Sequence, residues 1–591
     1  MKRINRFLIA AAGLLLAAQS WALAPNDRVD NFMLLDHQGR AHELYYYSDQ
    51  QAVVLMTQSS SCKVEQASLT KLAALKAAYA VEDIQFFLLN SSNDSRAAIR
   101  AQADELGIDI PVLLDTAQII GESLQVAATG EVLIVDPKSW KVTYTGALND
   151  GSSMPKQYVD NALKAMLTDQ AVAVTQTEAE GCAIDFPNIA ANQAHEQISY
   201  SDTIAPMLID NCISCHRQGG IGPWAMTDYS MVQGFSPMIR EVVRTKRMPP
   251  WHADPEFGHW SNDRSLSNEE VQTLVHWIEA GSPRGEGTDP LAEFVHNWPT
   301  WALDGSPDLV IDIPGTEVPA TGVVDYRYLN VENPLDRDVW VKASEILPGD
   351  RSVLHHTITR FGFLETEGPR AGRIGRRGGG GLGGYVPGAI AHEIHDGAGT
   401  LLPASATFEF QMHYTTNGKP AVDESKIGIW LHDEKPERTM DGTVLINFRI
   451  KIAPHAKAHV ETAERVIEKD ALLFAMLPHA HFRGKASTYE AFYPDGTSEV
   501  LLNVPNYDFN WQTSYILEEP KYLPAGTRLK NTFVWDNSAQ NPANPDPTRE
   551  VPWGEQSWDE MLFATASFRY LTAEEVSEYR TEGRDEVAGA E

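Results

Sequence analysis

The chain has 591 residues, more than one hydrophobic core normally accommodates, so its length predicts several domains. Its formal net charge is −32, because 80 acidic residues outnumber 48 basic ones. No basic stripe is available to neutralise phosphates, which argues against a nucleic acid partner. The charge instead favours solubility or docking to a basic electron donor.

Residues 1–22 are typical of a secretory signal peptide. They begin with basic residues, continue with an apolar run over 7–18, and end on a small-x-small pattern at Ala22. Cleavage after Ala22 is preferred, because cleavage after Ala24 would leave Pro25 as the first mature residue. No later apolar stretch reaches the ~20 residues that span a bilayer. The sequence therefore predicts an exported protein, periplasmic or secreted, without a membrane span after cleavage.

Residues 25–168 alternate between strand and helix patterns, which predicts an α/β domain. Cys62 follows the first buried strand, in the position of the active-site cysteine of the thioredoxin/redoxin fold, which this segment resembles. Parts of that family's chemistry are missing. Leu55 stands where peroxiredoxins have proline, Thr129-Gly130 replaces the cis-proline loop, and Cys62 has no CxxC partner. A lone thiol cannot run a dithiol cycle, so a structural or docking role is predicted.

The predicted linker over 169–197 contains a second cysteine, Cys182. In an oxidising compartment Cys62 and Cys182 either pair or remain independent. A Cys62–Cys182 disulfide that opens and closes with turnover would make Cys182 a resolving thiol and Cys62 a redox-active one.

The run Cys212-Ile213-Ser214-Cys215-His216 is the attachment signature of a covalent c-type haem. The two thiols add to the haem vinyl groups, and His216 then ligates the iron. The alternative, a zinc site, needs further ligands that the neighbouring sequence lacks. Flanking helix patterns, including a capping box at Ser267-Asn268-Glu269-Glu270, predict an all-α cytochrome c domain over 198–285 and a linker over 286–304.

The sixth iron ligand is expected in the stretch 246–252, where two prolines prevent a helix. Met248 resembles the axial methionine of class I cytochromes c, and a thioether ligand raises the reduction potential. His252 is the alternative ligand.

Beyond residue 304 the pattern changes to short strands separated by turns. It predicts two all-β sandwich or jelly-roll domains, 305–455 and 456–575, followed by an acidic tail at 576–591. The glycine run 378–381, with Arg373 and other arginines nearby, is interpreted as a flexible surface insertion.

Four motifs in this β region carry candidate metal ligands: His355-His356, Gln411-Met412-His413, His479-Ala480-His481 and Asp559-Glu560-Met561. Their order, ligand types and spacing resemble the copper type II, ascorbate-dependent monooxygenases, the family of peptidylglycine alpha-hydroxylating monooxygenase and dopamine beta-monooxygenase. The resemblance spans about 308–570. Eukaryotic members have disulfides, whereas this region has no cysteine.

The resemblance implies two copper ions with different tasks. The electron-transfer copper would be held by His355, His356 and His413. The copper that activates oxygen and hydroxylates substrate would be held by His479, His481 and Met561.

These residues also suit copper on chemical grounds. His479 and His481, one residue apart, would share one face of a strand. A soft thioether with two imidazoles suits an ion that cycles between Cu(I) and Cu(II). Because His355 and His356 are adjacent, the chain must bend or bulge for both to reach one ion.

Hydroxylation with dioxygen requires two electrons from outside, which ascorbate supplies in the family. A haem tethered in the same chain raises the effective concentration of donor, so the cytochrome is expected to replace or relay the soluble reductant. The sequence thus predicts an exported monooxygenase that hydroxylates a C–H bond of a small-molecule or peptide substrate. It would contain two copper ions and one covalent haem, and would be reduced by an external electron donor.

Two other functions stay open. One is a copper-binding or redox-sensing electron-transfer protein without hydroxylase activity. The other is a peroxidase built on the redoxin domain, which the missing proline at Leu55 weakens.

Overall fold

The computed structural model describes residues 22–64, 66–150, 156–186, 198–295, 300–367, 371–375, 379–388 and 391–579. The chain divides into two compact units, one of Met1–Asp30 with Tyr47–Ala191 and the other of Asn31–Tyr46 with Asn192–Glu591. The predicted signal peptide up to residue 21 and the end of the acidic tail from residue 580 lie outside the described residues. No helix among the described residues is long and apolar enough to cross a membrane.

A short hairpin begins the second unit, with strands β1 (Met33–Leu35) and β2 (Ala41–Glu43). The sequence predicts these residues as part of the redoxin domain, 25–168. In the structure, Asn503 donates a hydrogen bond to the Gly39 carbonyl oxygen at 3.0 Å, and the Tyr46 hydroxyl donates to Asp536 at 2.6 Å. The segment therefore belongs to the C-terminal unit through contacts that are distant in sequence.

The first unit is an α/β domain. Its strands and helices in chain order are β3 (Ala52–Thr57), α1 (Gln66–Ala78), β4 (Ile84–Asn90), α2 (Arg96–Leu106), β5 (Val112–Leu114), α3 (Ile119–Ser123), β6 (Val132–Asp136), β7 (Lys141–Gly146) and α4 (Tyr158–Leu167). The sheet order is β5-β4-β3-β6-β7, with β3, β4 and β5 parallel and β6 and β7 antiparallel. The apolar β3 is buried along its whole length and lies in the middle of the sheet, between β4 and β6. The expected thioredoxin-like fold is confirmed.

The described part of the predicted linker packs against this first unit. Gln176 forms a parallel bridge with Thr145, and Ala183 forms an antiparallel bridge with Ala128. Backbone hydrogen bonds join Thr129 to the Cys182 carbonyl oxygen at 2.9 Å and Ile184 to the Ala127 carbonyl oxygen at 2.9 Å. Backbone hydrogen bonds therefore hold this segment against the surface of the α/β domain. We call residues 171–186 the strap.

The second unit continues with helices α5 (Ala205–Asn211), α6 (Tyr229–Arg244), α7 (Asn268–Glu279) and α8 (Pro290–Glu293), with a π-turn at Tyr200–Ile204. The capping box predicted at Ser267 is present. The Glu270 carboxylate accepts a hydrogen bond from the Ser267 backbone N–H at 2.8 Å. Tyr200 packs against Trp277, which is fully buried. These helices surround the Cys212–His216 segment.

The first β part contains β8 (Leu309–Asp312), β9 (Thr316–Val318), β10 (Arg327–Glu332), β11 (Val339–Leu347), β12 (Leu354–Gly362), β13 (Gly380–Tyr385), β14 (His392–Glu393), β15 (Thr400–Leu402), β16 (Thr407–Tyr414), β17 (Ala421–Asp423) and β18 (Lys426–Leu431). Its two main sheets, β10-β16-β12-β13 and β14-β11-β18-β8, contribute side chains to one hydrophobic core. The described part of the predicted glycine insertion forms β13, which pairs with β12.

The second β part contains β19 (Asp441–Asn447), β20 (Lys451–Ile452), β21 (His459–Val466), β22 (Ala471–Leu477), β23 (Gly484–Phe492), β24 (Ser498–Val504), β25 (Tyr515–Leu523), β26 (Arg528–Trp535), β27 (Val551–Pro552) and β28 (Leu562–Tyr570). The sheets β19-β28-β22-β25 and β21-β26-β23-β24 share a second core. The expected all-β C-terminal region is confirmed.

The stretch that follows Met248 lies against the second β part. Trp251 and Trp260 belong to its hydrophobic core, and both rings make edge contacts with Tyr515, at 5.0 and 5.5 Å between centroids. The Ser261 amide donates to the Ile516 carbonyl oxygen at 2.9 Å. The helical segment is therefore docked on the second β part, whereas the sequence predicts only that it is tethered in the same chain.

Candidate metal centres

The first candidate centre lies on two paired strands. His356 of β12 is the register partner of His413 of β16, and the register shifts between Leu354 and His356. This irregularity is the bulge that two adjacent histidines require, so that expectation is confirmed. It turns the His355 and His356 rings toward the same side, 5.5 Å apart between centroids.

The nitrogen atoms of these three histidines converge. The Nδ1 atom of His356 lies 3.2 Å from Nδ1 of His355 and 3.3 Å from Nδ1 of His413. Ligand bonds of about 2.0 Å in a tetrahedral arrangement would separate two nitrogens by about 3.3 Å. The Nε2 atom of His355 is buried and makes no hydrogen bond of normal geometry. The three side chains thus have the spacing of a metal site.

All three imidazoles are neutral at neutral pH. Burial lowers the pKa of His355 to about 4 and that of His413 to about 3, the neighbouring His355 contributing to the latter. Burial and the surrounding histidines lower the pKa of His356 well below its usual range. A neutral imidazole offers a lone pair, so the protonation state suits metal binding.

The second candidate centre lies in the loop after β22. His479 and His481 are predicted on one face of a strand, but β22 ends before Pro478, and the two histidines lie in the β22–β23 loop. That expectation is wrong, because proline cannot continue the strand's hydrogen bonding. The rings nevertheless lie 5.3 Å apart between centroids.

Hydrogen bonds fix the tautomers of both histidines. The His479 Nδ1–H donates to Oε1 of Gln512 at 2.7 Å, and the His481 Nδ1–H donates to the Asp559 carbonyl oxygen at 3.2 Å. Each bond leaves Nε2 with a free lone pair, which is how protein histidines are usually prepared for a metal. Burial lowers the pKa of His479 to about 4 and that of His481 well below its usual range.

Met561 lies beside this loop. It immediately precedes β28, and the amide of Phe563 donates to the His479 carbonyl oxygen at 3.0 Å. Met561 is half-buried. The backbone therefore brings the predicted thioether ligand close to the two histidines, which the sequence separates by some eighty residues.

A buried glutamate, Glu560, holds the second centre together. Its carboxylate accepts hydrogen bonds from the backbone N–H groups of His481 at 2.9 Å and Arg483 at 2.7 Å, and from the indole of Trp535 at 3.0 Å. Burial raises the pKa of Glu560 to about 7, and these donors oppose the rise. In the sequence, Glu560 stands out only as the middle residue of the motif Asp559-Glu560-Met561. Its role in positioning the loop is visible only in the structure.

The two histidine sets form one buried cluster around Phe509. The Phe509 ring stacks on His355 at 4.8 Å between centroids and lies 5.9 Å from His481. The rings of His356 and His479 are 6.4 Å apart. No sequence signal marks Phe509 or Gln512, because both come from the irregular loop between β24 and β25.

The Cys212–His216 segment, the predicted haem attachment loop, forms a hydrogen-bonded turn. The Cys212 carbonyl oxygen accepts bonds from the amides of Cys215 at 3.2 Å and His216 at 3.0 Å. The His216 Nδ1–H donates to the Trp224 carbonyl oxygen at 3.1 Å, which leaves Nε2 for the iron. A Cβ on Gly222 would lie 2.7 Å from that ring, so only glycine fits there. The residues fit a covalent haem.

The two candidates for the sixth iron ligand differ in their surroundings. Met248 is half-buried, whereas His252 is buried and its backbone hydrogen-bonds the Tyr515 hydroxyl of the second β part. The docking of His252 against β25 is compatible with Met248 as the ligand, which stays a prediction.

In the first unit, Cys62 and Cys182 form a disulfide, with their Cα atoms 5.9 Å apart. Of the two alternatives that the sequence leaves open, the structure has the paired one. The Thr129 hydroxyl donates to Sγ of Cys62 at 3.3 Å, and the Cys182 amide donates to the same hydroxyl at 3.1 Å. Thr129, in the predicted substitute for the cis-proline loop, thus contacts both cysteines.

Residues 25–145 match the model of the AhpC/TSA family. A hypothetical protein from Sinorhizobium meliloti is 21% identical, with a TM-score of 0.27, over 28% of this chain and 97% of its own. An uncharacterized conserved protein from Geobacillus kaustophilus is 25% identical, with a TM-score of 0.26, over 27% of this chain and 92% of its own.

A peroxidoxin from Mycobacterium tuberculosis is 17% identical, with a TM-score of 0.21, over 25% of this chain and 97% of its own. The search of curated proteins gave no match. The family match identifies the N-terminal part as a redoxin domain with a thioredoxin-like fold, and redoxins are oxidoreductases.

Proposed function

We propose that the protein is an exported, copper-dependent monooxygenase that hydroxylates a C–H bond of an organic substrate with dioxygen. The observation that carries the proposal is the cluster of five buried, neutral histidines, three converging on one point and two with Nε2 left free beside Met561. Copper in both places would supply one electron each and activate oxygen at the site with the thioether.

The protein's own residues prepare the second site for this chemistry. Gln512 and the Asp559 carbonyl hold the imidazoles in one tautomer, and Glu560 holds the loop that carries them. The aromatic ring of Phe509 lies against a histidine of each set, His355 at 4.8 Å and His481 at 5.9 Å between centroids. A site that excludes water limits the loss of reactive oxygen species to solvent.

We also propose that a covalent c-type haem, bound by Cys212, Cys215 and His216 with Met248 as sixth ligand, delivers the electrons. Support comes from the Nδ1 hydrogen bond of His216 and from the space that Gly222 leaves for its ring. A small-molecule or peptide substrate and an external electron donor complete the reaction.

A test is to purify the protein from an exporting host and to measure metals, haem and oxygen consumption. Two copper ions and one haem that resists acid acetone are expected. Zinc in place of copper, or an extractable haem, would contradict the proposal.

Met561→Ala probes the oxygen site directly. We expect loss of the copper–sulfur signal in X-ray absorption of the Cu(I) protein and a sharp fall in turnover, because the thioether is a ligand. Met440→Ala, at another half-buried methionine, is the control and should keep both. Normal turnover and an intact sulfur signal in Met561→Ala would remove this residue from the site.

The Cys62–Cys182 disulfide favours a second candidate, a redox-sensing protein whose redoxin domain exchanges thiols with a partner. Peptide mapping during turnover distinguishes the two functions. A disulfide that opens and closes with the oxidation state of the copper sites supports sensing, and one that stays closed supports a structural bond.

A further inference from the structure

The segment that leads to Met561 is a tight loop of the second β part, residues 553–560, which we call the methionine loop. Trp553 and Glu560 form a parallel bridge at its base. The Gly554 amide also donates to the Glu560 carbonyl oxygen at 3.0 Å. Because Glu560 directly precedes Met561, a displacement of this loop would move the predicted thioether ligand.

Tyr326, one residue before β10 in the first β part, packs on the three-histidine site. The centre of its ring lies 4.6 Å from the ring centre of His413 and 5.6 Å from that of His356. These distances correspond to direct ring contact. The positions of the Tyr326 ring and of the two imidazoles therefore depend on each other.

The hydroxyl of Tyr326 reaches the methionine loop. It lies 3.3 Å from the hydroxyl of Ser557 and shares a hydrogen bond with it. Ser557 is buried, so water cannot easily replace this partner. Ser557 lies four residues before Met561. One side chain thus contacts two ligands of the first centre and the loop that supplies the thioether to the second.

A second tyrosine, Tyr328, makes a parallel connection. Its hydroxyl donates to the Glu555 carboxylate of the methionine loop at 3.1 Å and accepts a hydrogen bond from the side-chain amide of Gln411 at 2.7 Å. Gln411 lies on β16, two residues before His413. The Arg373 guanidinium lies 3.4 Å from the centre of the Tyr328 ring and holds it from the other side. The strand that carries His413 is therefore joined to the same loop.

We propose that Tyr326, supported by Tyr328, is a positioning residue that sets the place of Met561 from the three-histidine site. The inference rests on the proposed copper sites and specifies how the first β part takes part in the second one. The histidines of the second centre belong to the second β part alone. Its thioether, in contrast, is held through side chains of both β parts.

The alternative is that the second β part positions Met561 by itself. Glu560 binds the backbone of His481 and Arg483 and the indole of Trp535, which all belong to that part. If these bonds suffice, the hydroxyl of Tyr326 has no effect on the metal ligands. The copper–sulfur bond of the second centre distinguishes the two cases.

The test compares Tyr326→Phe, Ser557→Ala and the double variant in the full-length protein loaded with haem and Cu(I). X-ray absorption follows the copper–sulfur signal, and competition with a Cu(I) chelator gives the affinity of each site. Each single variant should weaken the sulfur signal and lower the affinity of the second site about 10-fold, as loss of a partner that orients a ligand usually does. The double variant should lose no more than either single one, because both changes remove the same hydrogen bond.

Two further variants separate the ring of Tyr326 from its hydroxyl and test the parallel connection. Tyr326→Leu, which also lacks the ring, should change the electron paramagnetic resonance spectrum of Cu(II) at the three-histidine site, whereas Tyr326→Phe should not. Tyr328→Phe should weaken the sulfur signal, because it releases Glu555.

Tyr493→Phe is the matched control, because it also removes a hydrogen bond between a half-buried tyrosine and a glutamate, Glu499. Both residues lie within the second β part, away from the methionine loop. This variant should keep the sulfur signal, the Cu(II) spectrum and both affinities of the wild type.

A normal sulfur signal and normal affinity in both Tyr326→Phe and Ser557→Ala would overturn the inference and assign the position of Met561 to the second β part alone. Additive losses in the double variant would also contradict it, since the two hydroxyls would then act separately. Failure of the proposed function has a different signature. In that case the wild type itself has no copper or no copper–sulfur signal, and the inference fails with it.

Discussion

At the scale of single residues, buried carboxyl groups do the most to shape the candidate sites. Glu560 accepts three hydrogen bonds within the second centre. Glu409, on the same strand as His413, is fully buried and pairs with Arg360 and Arg373, each at 2.6 Å. Both carboxylates bind groups from different segments of the chain, so Glu560 fixes the loop that carries His479 and His481, and Glu409 fixes the strand that carries His413.

Glu560→Gln should weaken copper binding at the His479 and His481 site by about 10- to 100-fold, the usual effect of losing a partner that orients a ligand. The amide has only one acceptor oxygen and cannot hold both backbone N–H groups. Competition with a Cu(I) chelator measures the affinity of each site. Glu519→Gln, on the exposed face of β25, is the control. Equal affinities in wild type and Glu560→Gln would show that this carboxylate does not position the loop.

Glu131 gives the first unit a pH-dependent stability. Burial raises its pKa from the usual 4.5 to about 7, although backbone N–H groups of Ala127 and Ala128 lower it. Between these two values the folded state keeps a proton that the unfolded state has released. Stability therefore falls as the pH rises through this window, by at most about 3 kcal/mol.

In Glu131→Gln this pH dependence should disappear. Calorimetry of the unfolding transition of the first unit at pH 5 and pH 8 tests it. The wild type and the exposed control Glu82→Gln should both lose stability at pH 8, while Glu131→Gln should lose much less. The same loss in all three proteins would show that another group is responsible.

At the scale of elements, irregular segments place the side chains that matter. The bulge in β12 turns two adjacent histidines to one side. The loop between β24 and β25 supplies Phe509 and Gln512, one to each set of histidines. The strap attaches Cys182 to the redoxin domain through Thr129. None of these segments has a periodic pattern, so the sequence predicts the ligands but not the side chains that hold them.

Cys182→Ser should release the strap and lower the stability of the first unit by about 2–4 kcal/mol, the usual contribution of a disulfide. The bond closes a loop between residues 120 positions apart. Cys62→Ser should have the same effect, and a reducing agent should add nothing to either variant. Calorimetry measures the change. Copper affinity should stay constant, and a change in it would link the disulfide to the metal sites.

At the scale of the whole molecule, the helical segment of the second unit is part of the C-terminal structure. The sequence suggests a donor on a flexible tether. In the structure, Trp251 and Trp260 complete the core of the second β part. The segment that contains the predicted ligand Met248 is therefore held against the β region by fixed contacts.

This docking predicts how fragments behave. A fragment over 300–591 lacks both tryptophans and should be less stable than one over 198–591, since removing a buried tryptophan side chain costs about 3–5 kcal/mol. Thermal unfolding followed by circular dichroism compares the two. Both fragments lack the hairpin β1–β2, so that difference cancels. Equal midpoints would show that the tryptophans do not stabilise the β part.

The sequence by itself determined what depends on local pattern and residue chemistry. Alternating strands and helices predicted the redoxin domain, and short strands predicted the all-β region, because hydrophobic periodicity reflects the face that each element buries. The adjacency of His355 and His356 even required the bulge that the structure has. The ligand types indicated copper and haem, and these assignments stay predictions.

Only the tertiary structure decided which distant residues meet. It paired Cys62 with Cys182, moved His479 and His481 from a strand to a loop, and packed Phe509 between the two histidine sets. These contacts join segments far apart in the chain, and they arise from burial of cores and satisfaction of buried polar groups, which no local pattern encodes.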